Sequence, residues 1–187
     1  MASGNLIVIG SSTGGLKVLE AMFTRLPVLK AAVLIVQHIT PVIDQAFVTS
    51  LSRVSAMPVF LARSGQQLDE GNVYLAPGGI HLTLQQNSIC RLTPGEKVNS
   101  VCPAIDVAMK SLVRTTSGRL VGIILTGMGY DGAAGIVQVK KCGGLTIAQD
   151  QKSSIIFGMP KAAAETGMVD LVLSTDRIAD KLRELFG

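Results

Sequence analysis

The alternation of apolar and polar positions changes period along the chain. Residues 5–9 form a short apolar run rich in β-branched side chains that stops at Gly10, and Leu16, Leu19, Met22, Phe23 and Leu26 then recur at helical spacing as far as Pro27. This predicts a strand, a glycine loop and a helix. The unit repeats as a strand over 32–37, a loop from His38 through Pro41, and an amphipathic stretch with Ile43, Phe47, Leu51 and Val54 on one face. Residues 58–62 predict a third strand. Between 71 and 93 the runs 72–76, 81–85 and 89–93 are short and separated by Pro77-Gly78-Gly79 and Gln86-Asn87-Ser88, which predicts a small antiparallel excursion. Pro103 then suits the first position of a helix whose buried stripe is Ile105, Met109, Leu112 and Val113, closed near Ser117-Gly118.

The strand and helix rhythm resumes with a strand over 120–125, a glycine-rich loop to 132 and a helix to about Cys142, stopped by Gly143-Gly144. Runs at 145–148 and 155–157, a helix around 160–166, a strand over 169–173 and a helix over 175–186 complete the pattern. Strands that are apolar throughout, alternating with amphipathic helices, imply a mostly parallel sheet covered on both faces. The expected class is α/β, a doubly wound three-layer α/β/α sandwich. No linker, repeat or low-complexity segment interrupts it, so residues 1–187 are read as one domain.

Composition narrows the function classes. With 48% hydrophobic and 16% charged residues, the 187-residue chain can fill a core, and disorder is excluded. Its longest uncharged apolar stretches are about half the ~20 residues of a spanning helix, so no membrane insertion is expected. Neither a basic leader region nor a cleavage pattern opens the chain, and the cytoplasm is the expected compartment. The bases behind the net charge of +4 are scattered, with no run of five and few aromatics between them, a pattern that speaks against nucleic acid. Cys90, Cys102 and Cys142 form no CxxC pair and do not cluster with His38 or His81, which argues against both zinc and a disulfide framework. They read as buried thiols in a reducing compartment.

Glycine is in surplus, and nine of the twenty lie in segments 10–15, 78–79 and 127–135. Open parallel sheets bind ligands beyond the carboxyl ends of their strands, so these loops are where chemistry is sought. Gly10-Ser11-Ser12-Thr13-Gly14-Gly15 can turn sharply, project a hydroxyl and aim helix N–H groups at an anion. That suits a serine nucleophile, a phosphate cradle or simply a capped turn, although the loop lacks the Walker lysine and is not GxSxG. His38 follows a buried strand at the same edge, where imidazole could take a hydroxyl proton, whereas His81 lies in the antiparallel excursion and is expected to be structural. Gly127-Met128-Gly129-Tyr130-Asp131-Gly132 has GxGxxG spacing, with Asp150 at the end of the next strand, so a dinucleotide-binding oxidoreductase is the rival reading. Against it, the Asp131 carboxylate would oppose a pyrophosphate, and the motif lies far from the first strand. Ser12, His38 and Asp131 together supply nucleophile, base and orienting carboxylate on one rim.

The segments Ile9-Gly10-Ser11-Ser12-Thr13-Gly14-Gly15, Gln37-His38, Ala76-Pro77-Gly78, 125–135 and Phe157-Gly158-Met159-Pro160 resemble the catalytic domain of the CheB chemotaxis methylesterases. The resemblance runs from about Leu6 to the C-terminus. It implies hydrolysis of glutamate γ-methyl esters on the cytoplasmic helices of chemoreceptors, with release of methanol and, in some members, deamidation of receptor glutamines. It also implies Ser12, His38 and Asp131 as the catalytic residues, no cofactor or metal, and a shallow exposed cleft that accepts a helix. Backbone N–H groups near Thr13 and Met128 are the candidate oxyanion donors. Ser11 stands where the family commonly has Ala, so the choice of Ser12 over Ser11 rests on the resemblance. Cys102 and Ala104 depart from the family's Arg-Pro-Ser before Asp106, which puts the polar contacts of that stretch in question. The family usually carries a receiver domain ahead of this one, so the chain reads either as an excised domain or as a stand-alone enzyme.

Overall fold

A strand buried along its whole length needs cover on both faces, and Leu6–Ser11 (β1) is such a strand. The structure is a computed structural model and describes residues 4–114 and 117–187; residues 1–3, read above for a leader, lie outside the described residues. β1 pairs in parallel with β2 (Ala32–Gln37) on one side and β7 (Leu120–Ile124) on the other. Outward from β2 lie β4 (Val73–Leu75) and β3 (Val59–Leu61), and outward from β7 lie β8 (Leu145–Gln149) and β9 (Leu171–Leu173). The order is β3-β4-β2-β1-β7-β8-β9, with every pairing parallel. The chain winds from β1 toward one edge, then returns to build the other half. The loops beside β1 therefore diverge and leave a crevice at the carboxyl ends of β2, β1 and β7.

Period-2 alternation divides β1 between two cores. Ile7 and Ile9 join side chains of α1 (Gly15–Phe23), α2 (Asp44–Ser52) and α6 (Thr175–Phe186) on one face. Leu6 and Val8 face α3 (Ile105–Lys110), α4 (Ala133–Lys141), α5 (Met159–Glu165) and the hairpin of β5 (His81–Gln85) and β6 (Ile89–Thr93). This is the expected three-layer, doubly wound α/β architecture. Gly143, at φ 82°, ends α4 with its N–H on the Lys140 carbonyl, as the double glycine predicts.

The structure departs from the sequence reading in five places, one of them at Pro103, which lies ahead of the Ala104 N-cap and outside α3 instead of at its first position. Residues 72–76 are not part of the antiparallel excursion: Val73, Tyr74 and Leu75 pair in parallel with β2 and β3, and only β5 and β6 run antiparallel. A three-residue inner strand is too short for its period to reveal which sheet it joins. Helix α3 stops at Lys110, and Val113 is half exposed, because the Asn87 side chain donates to the Val113 carbonyl and accepts its N–H, pulling the chain out of the helix. Run 155–157 forms no strand of its own, and only Phe157 bridges to Gly127. Cys102 is partly exposed, whereas Cys90 and Cys142 are buried and all three are free. Burial pushes the Cys90 thiol up to about 12, so it stays protonated and inert.

Gly10 seats α3 against the sheet. A Cβ at this position would fall 2.6 Å from Cγ2 of Ile105. Gly10→Ala is therefore expected to lose about 1–3 kcal/mol through overpacking, read as a lower urea midpoint. An unchanged midpoint would show that the start of α3 yields to the sheet.

Candidate active site

The loop after β1 is anchored from beneath by Gln37. The buried Ser11 hydroxyl donates to Gln37 Oε1 at 2.5 Å, while Gln37 Nε2 donates to the carbonyls of Ser12 at 2.8 Å and His38 at 3.3 Å. Gly15 lies so close that a Cβ there would sit 2.1 Å from Gln37 Oε1. Ser11 thus belongs to the interior. Ser12, one residue on, is partly exposed, and its hydroxyl has no hydrogen-bond partner among the described residues. It lines a cleft of about 560 Å³ together with Thr13, Gly15, Lys17, Gln37 and His38.

Parallel register brings His38 beside this loop. Ser11 pairs with Gln37, so the His38 N–H reaches the Ser11 carbonyl at 3.1 Å. The imidazole Nε2 lies 2.7 Å from Asp131 Oδ2. A carboxylate only accepts, so in the neutral ring Nε2 carries the proton and Nδ1 is the free basic nitrogen. Beneath the loop that follows, the Gly78 N–H donates to both Asp44 oxygens at 2.9 and 3.1 Å. Burial pushes the Asp44 carboxyl up, against the pull of that N–H. A Cβ at Gly78 would strike the backbone of Thr40 at 2.5 Å, so the two loops meet main chain to main chain.

Asp131, only 3% exposed, uses both oxygens fully. Oδ2 accepts His38 and the Ile105 N–H at 2.6 Å, while Oδ1 accepts Asn99 Nδ2 at 2.8 Å and the Asp106 N–H at 3.1 Å. Burial pushes the carboxyl up, but the bonds from His38, Asn99, Ile105 and Asp106 outweigh it and hold the group below the ordinary carboxylate value. Ala104 begins α3 without a side-chain cap of its own, so Asp131 serves that helix from outside.

The loop after β7 closes the crevice. A Cβ at Gly127 would lie 2.4 Å from Met159 Sδ and 2.8 Å from Ser12 Cβ, so only glycine admits Ser12 here. Thr126 Oγ1 donates toward the carbonyls of Thr13 and Ile156 and accepts the Ile156 N–H. The Thr13 and Met128 N–H groups donate no hydrogen bond among the described residues, as oxyanion donors require. Met128, Tyr130 and Ile155 are exposed around the rim, and among the described residues no lid covers the partly exposed Ser12.

The structure therefore brings Ser12, His38, Asp131, Thr13 and Met128 to one rim. His81 is structural: its Nδ1 accepts the Ala104 N–H and its Nε2 donates to the Glu96 carbonyl. A dinucleotide would need the N–H groups at the start of α4, and those of Gly132 and Gly135 are already taken by Asp106. Asp150, the expected ribose partner, instead accepts the Ser153 N–H and hydroxyl. Sequence reasoning missed Gln37, Asn99, Asp106 and Thr126 as site residues. Gln37 and Thr126 lie inside segments that carry the resemblance, and Asn99 and Asp106 bound the stretch that Cys102 and Ala104 put in question, but residue type alone gave none of them a role; the contacts of Asp106 are made despite Cys102 and Ala104.

Compared with known families, residues 7–182 match CheB methylesterase. A protein-glutamate methylesterase/protein-glutamine glutaminase of Pyrococcus horikoshii is 45% identical over 178 residues, covering 93% of this chain and 48% of that protein. One from Symbiobacterium thermophilum is 42% identical over 183 residues, covering 97% and 51%. The chain thus spans about half the length of the curated relatives it matches. The crystal structure of the Thermotoga maritima CheB methylesterase catalytic domain superposes with a TM-score of 0.92 at 37% identity, over 98% of this chain and all of that one.

The depressed Asp131 carboxyl predicts a pH signature. Its folded value lies below the roughly 3.9 of an unfolded Asp, so its contribution is complete above that value and is lost as pH falls through the folded one. In urea unfolding, the stability gap between wild type and Asp131→Asn should be full at neutral pH and close below about pH 4. A gap that does not shrink at all as pH falls below about 4 would contradict the depressed value.

Proposed function

Since the chain belongs to the CheB methylesterase family, we propose that it is a serine hydrolase that cleaves glutamate γ-methyl esters on the cytoplasmic helices of chemoreceptors and releases methanol. The double name of its relatives extends the proposal to protein glutamines, where ammonia leaves in place of methanol. The observation that carries the reading is the 2.7 Å pair of His38 and Asp131 beside the cleft that Ser12 lines. It leaves a basic imidazole nitrogen on a residue that lines the same cleft as Ser12, whose hydroxyl has no competing partner among the described residues.

In this mechanism His38 Nδ1 takes the Ser12 proton as Oγ attacks the ester carbonyl carbon. The N–H groups of Thr13 and Met128 meet the developing oxyanion. Asp131, kept ionised by its donors, stabilises the imidazolium, which returns the proton to the methoxy oxygen as the C–O bond breaks. Water then attacks the acyl carbonyl and gives a proton to His38. Collapse expels Ser12 Oγ, which takes that proton back, and the product glutamic acid ionises to solvent.

An open rim with apolar Met128, Tyr130 and Ile155 supports a helical protein substrate rather than a small metabolite. The proposed substrate, the cytoplasmic helices of chemoreceptors, puts the proposed reaction in the cytoplasm; separately, no helix among the described residues is long and apolar enough to cross a membrane. The chain is read as one catalytic domain, with a receiver domain as the partner that would regulate it.

Methanol release from a methyl-esterified receptor fragment tests the assignment. Ser12→Ala should cost roughly 10⁴ to 10⁶ in rate and Asp131→Asn on the order of 10³ to 10⁴. Ser11→Ala, whose hydroxyl faces the interior, should cost no more than about tenfold. Activity of Ser12→Ala within tenfold of wild type would remove Ser12 as nucleophile, and an adduct of a fluorophosphonate on any other serine would do the same.

A further inference from the structure

Two of the buried carboxylates, Asp131 and Asp106, belong to one hydrogen-bond network, and the mechanism uses only Asp131. Asp106 is 4% exposed, and among the described residues no Lys or Arg pairs with it. Its charge is met entirely by hydrogen-bond donors. Oδ1 accepts the N–H groups of Gly132 at 3.0 Å and Gly135 at 2.7 Å, and Oδ2 accepts Asn99 Nδ2 at 2.8 Å. That same Asn99 nitrogen donates to Asp131 Oδ1 at 2.8 Å. Asp131 in turn accepts the N–H groups of Ile105 and Asp106 itself. Each carboxylate therefore caps the helix adjoining the other, and Asn99 joins them.

We propose that Asp106 is a positioning residue for the catalytic centre, acting through Asn99 and the start of α4 to hold Asp131 against His38; the proposal rests on the hydrolase reading above. Three observations support the role. Asp131 immediately precedes Gly132, whose N–H Asp106 holds, so Asp106 sets where the chain carrying Asp131 turns into α4. Asn99 and Ser100 adopt φ of 53° and 66°, a conformation L-residues keep only where the surroundings impose it, and here it aims the Asn99 amide between the two carboxylates. Finally, Gly135 admits Asp106 at close range, since a Cβ there would lie 3.2 Å from Oδ1.

All three partners of Asp106 are donors, so the isosteric amide of Asp106→Asn must turn an NH₂ group toward one of them. Asn99 or α4 then loses its anchor, and Asp131 loosens from His38. We expect kcat to fall by up to about 10²-fold with KM held within about twofold. Placed on Asp131→Asn, the same change should cost less than roughly threefold, because the residue through which it acts is already disabled. Independently of turnover, ¹⁵N shifts of the neutral His38 ring should report the Nε2–H tautomer in wild type and a mixture in the variant.

An equal loss in both backgrounds, or a wild-type tautomer with wild-type kcat, overturns the proposal. Should Asp106→Asn fail to fold, Asn99→Gly removes the bridging amide while tolerating the left-handed backbone at that position, and is read the same way. If wild type hydrolyses no ester while either variant loosens the tautomer, the hydrolase reading falls and the positioning role stands. A tautomer intact in both variants overturns the positioning role whatever wild type hydrolyses.

Discussion

A carboxylate buried as deeply as Asp131 is tolerable only when donors replace its water. Those donors are His38 from the loop after β2, Asn99 from a turn, and the first N–H groups of α3. Meeting this one demand brings together segments from both halves of the sheet. Its donors hold Asp131 below the ordinary carboxylate value, among the described residues no Lys or Arg pairs with it, and it is directed at a single imidazole nitrogen. The hydrogen bonds that stabilise the fold and the polarity that the proposed chemistry needs are one network.

Small residues make that convergence sterically feasible. Gly10 admits Ile105 to the end of β1, Gly15 admits Gln37, and Gly127 admits Ser12 beside Met159. At each, a methyl group would have to occupy space that another side chain already fills. The glycine surplus is thus a record of close approach at the crevice, in addition to turn formation. Ser11 fits the same account: its hydroxyl closes a buried bond to Gln37, which sets Ser12 at the surface as the neighbouring hydroxyl.

Much of the fold was legible from periodicity, because a central parallel strand is apolar throughout and an amphipathic helix repeats its apolar face. β1, β2, β7 and α6 show these signals over enough residues to be read locally. β4 was misassigned to the antiparallel excursion because three residues carry no information about their neighbour. The end of α3 was misjudged because Asn87, far away in sequence, competes for the backbone of Val113. In the site, Ser12, His38 and Asp131 stood out as chemistry-bearing types in loops after strands. Gln37, Asn99, Asp106 and Thr126 did not, since a buried amide or carboxylate that serves another residue looks in sequence like any polar position.

Taken alone, then, the amino-acid sequence determined most of the segments that are strands or helices, that the central strands must be covered on both faces, and which residue types stand at their carboxyl ends. Those are properties of hydrophobic period and residue chemistry, complete within a segment. Tertiary structure decided which of two adjacent serines faces the cleft, which imidazole nitrogen is left free, and how two carboxylates came to share Asn99. The partners of Asp131 lie 25 to 93 residues away along the chain, and only the winding of the sheet brings them within hydrogen-bond reach. Hydrogen bonds act over about 3 Å and take no account of sequence separation, so their pattern is settled where the chain meets itself.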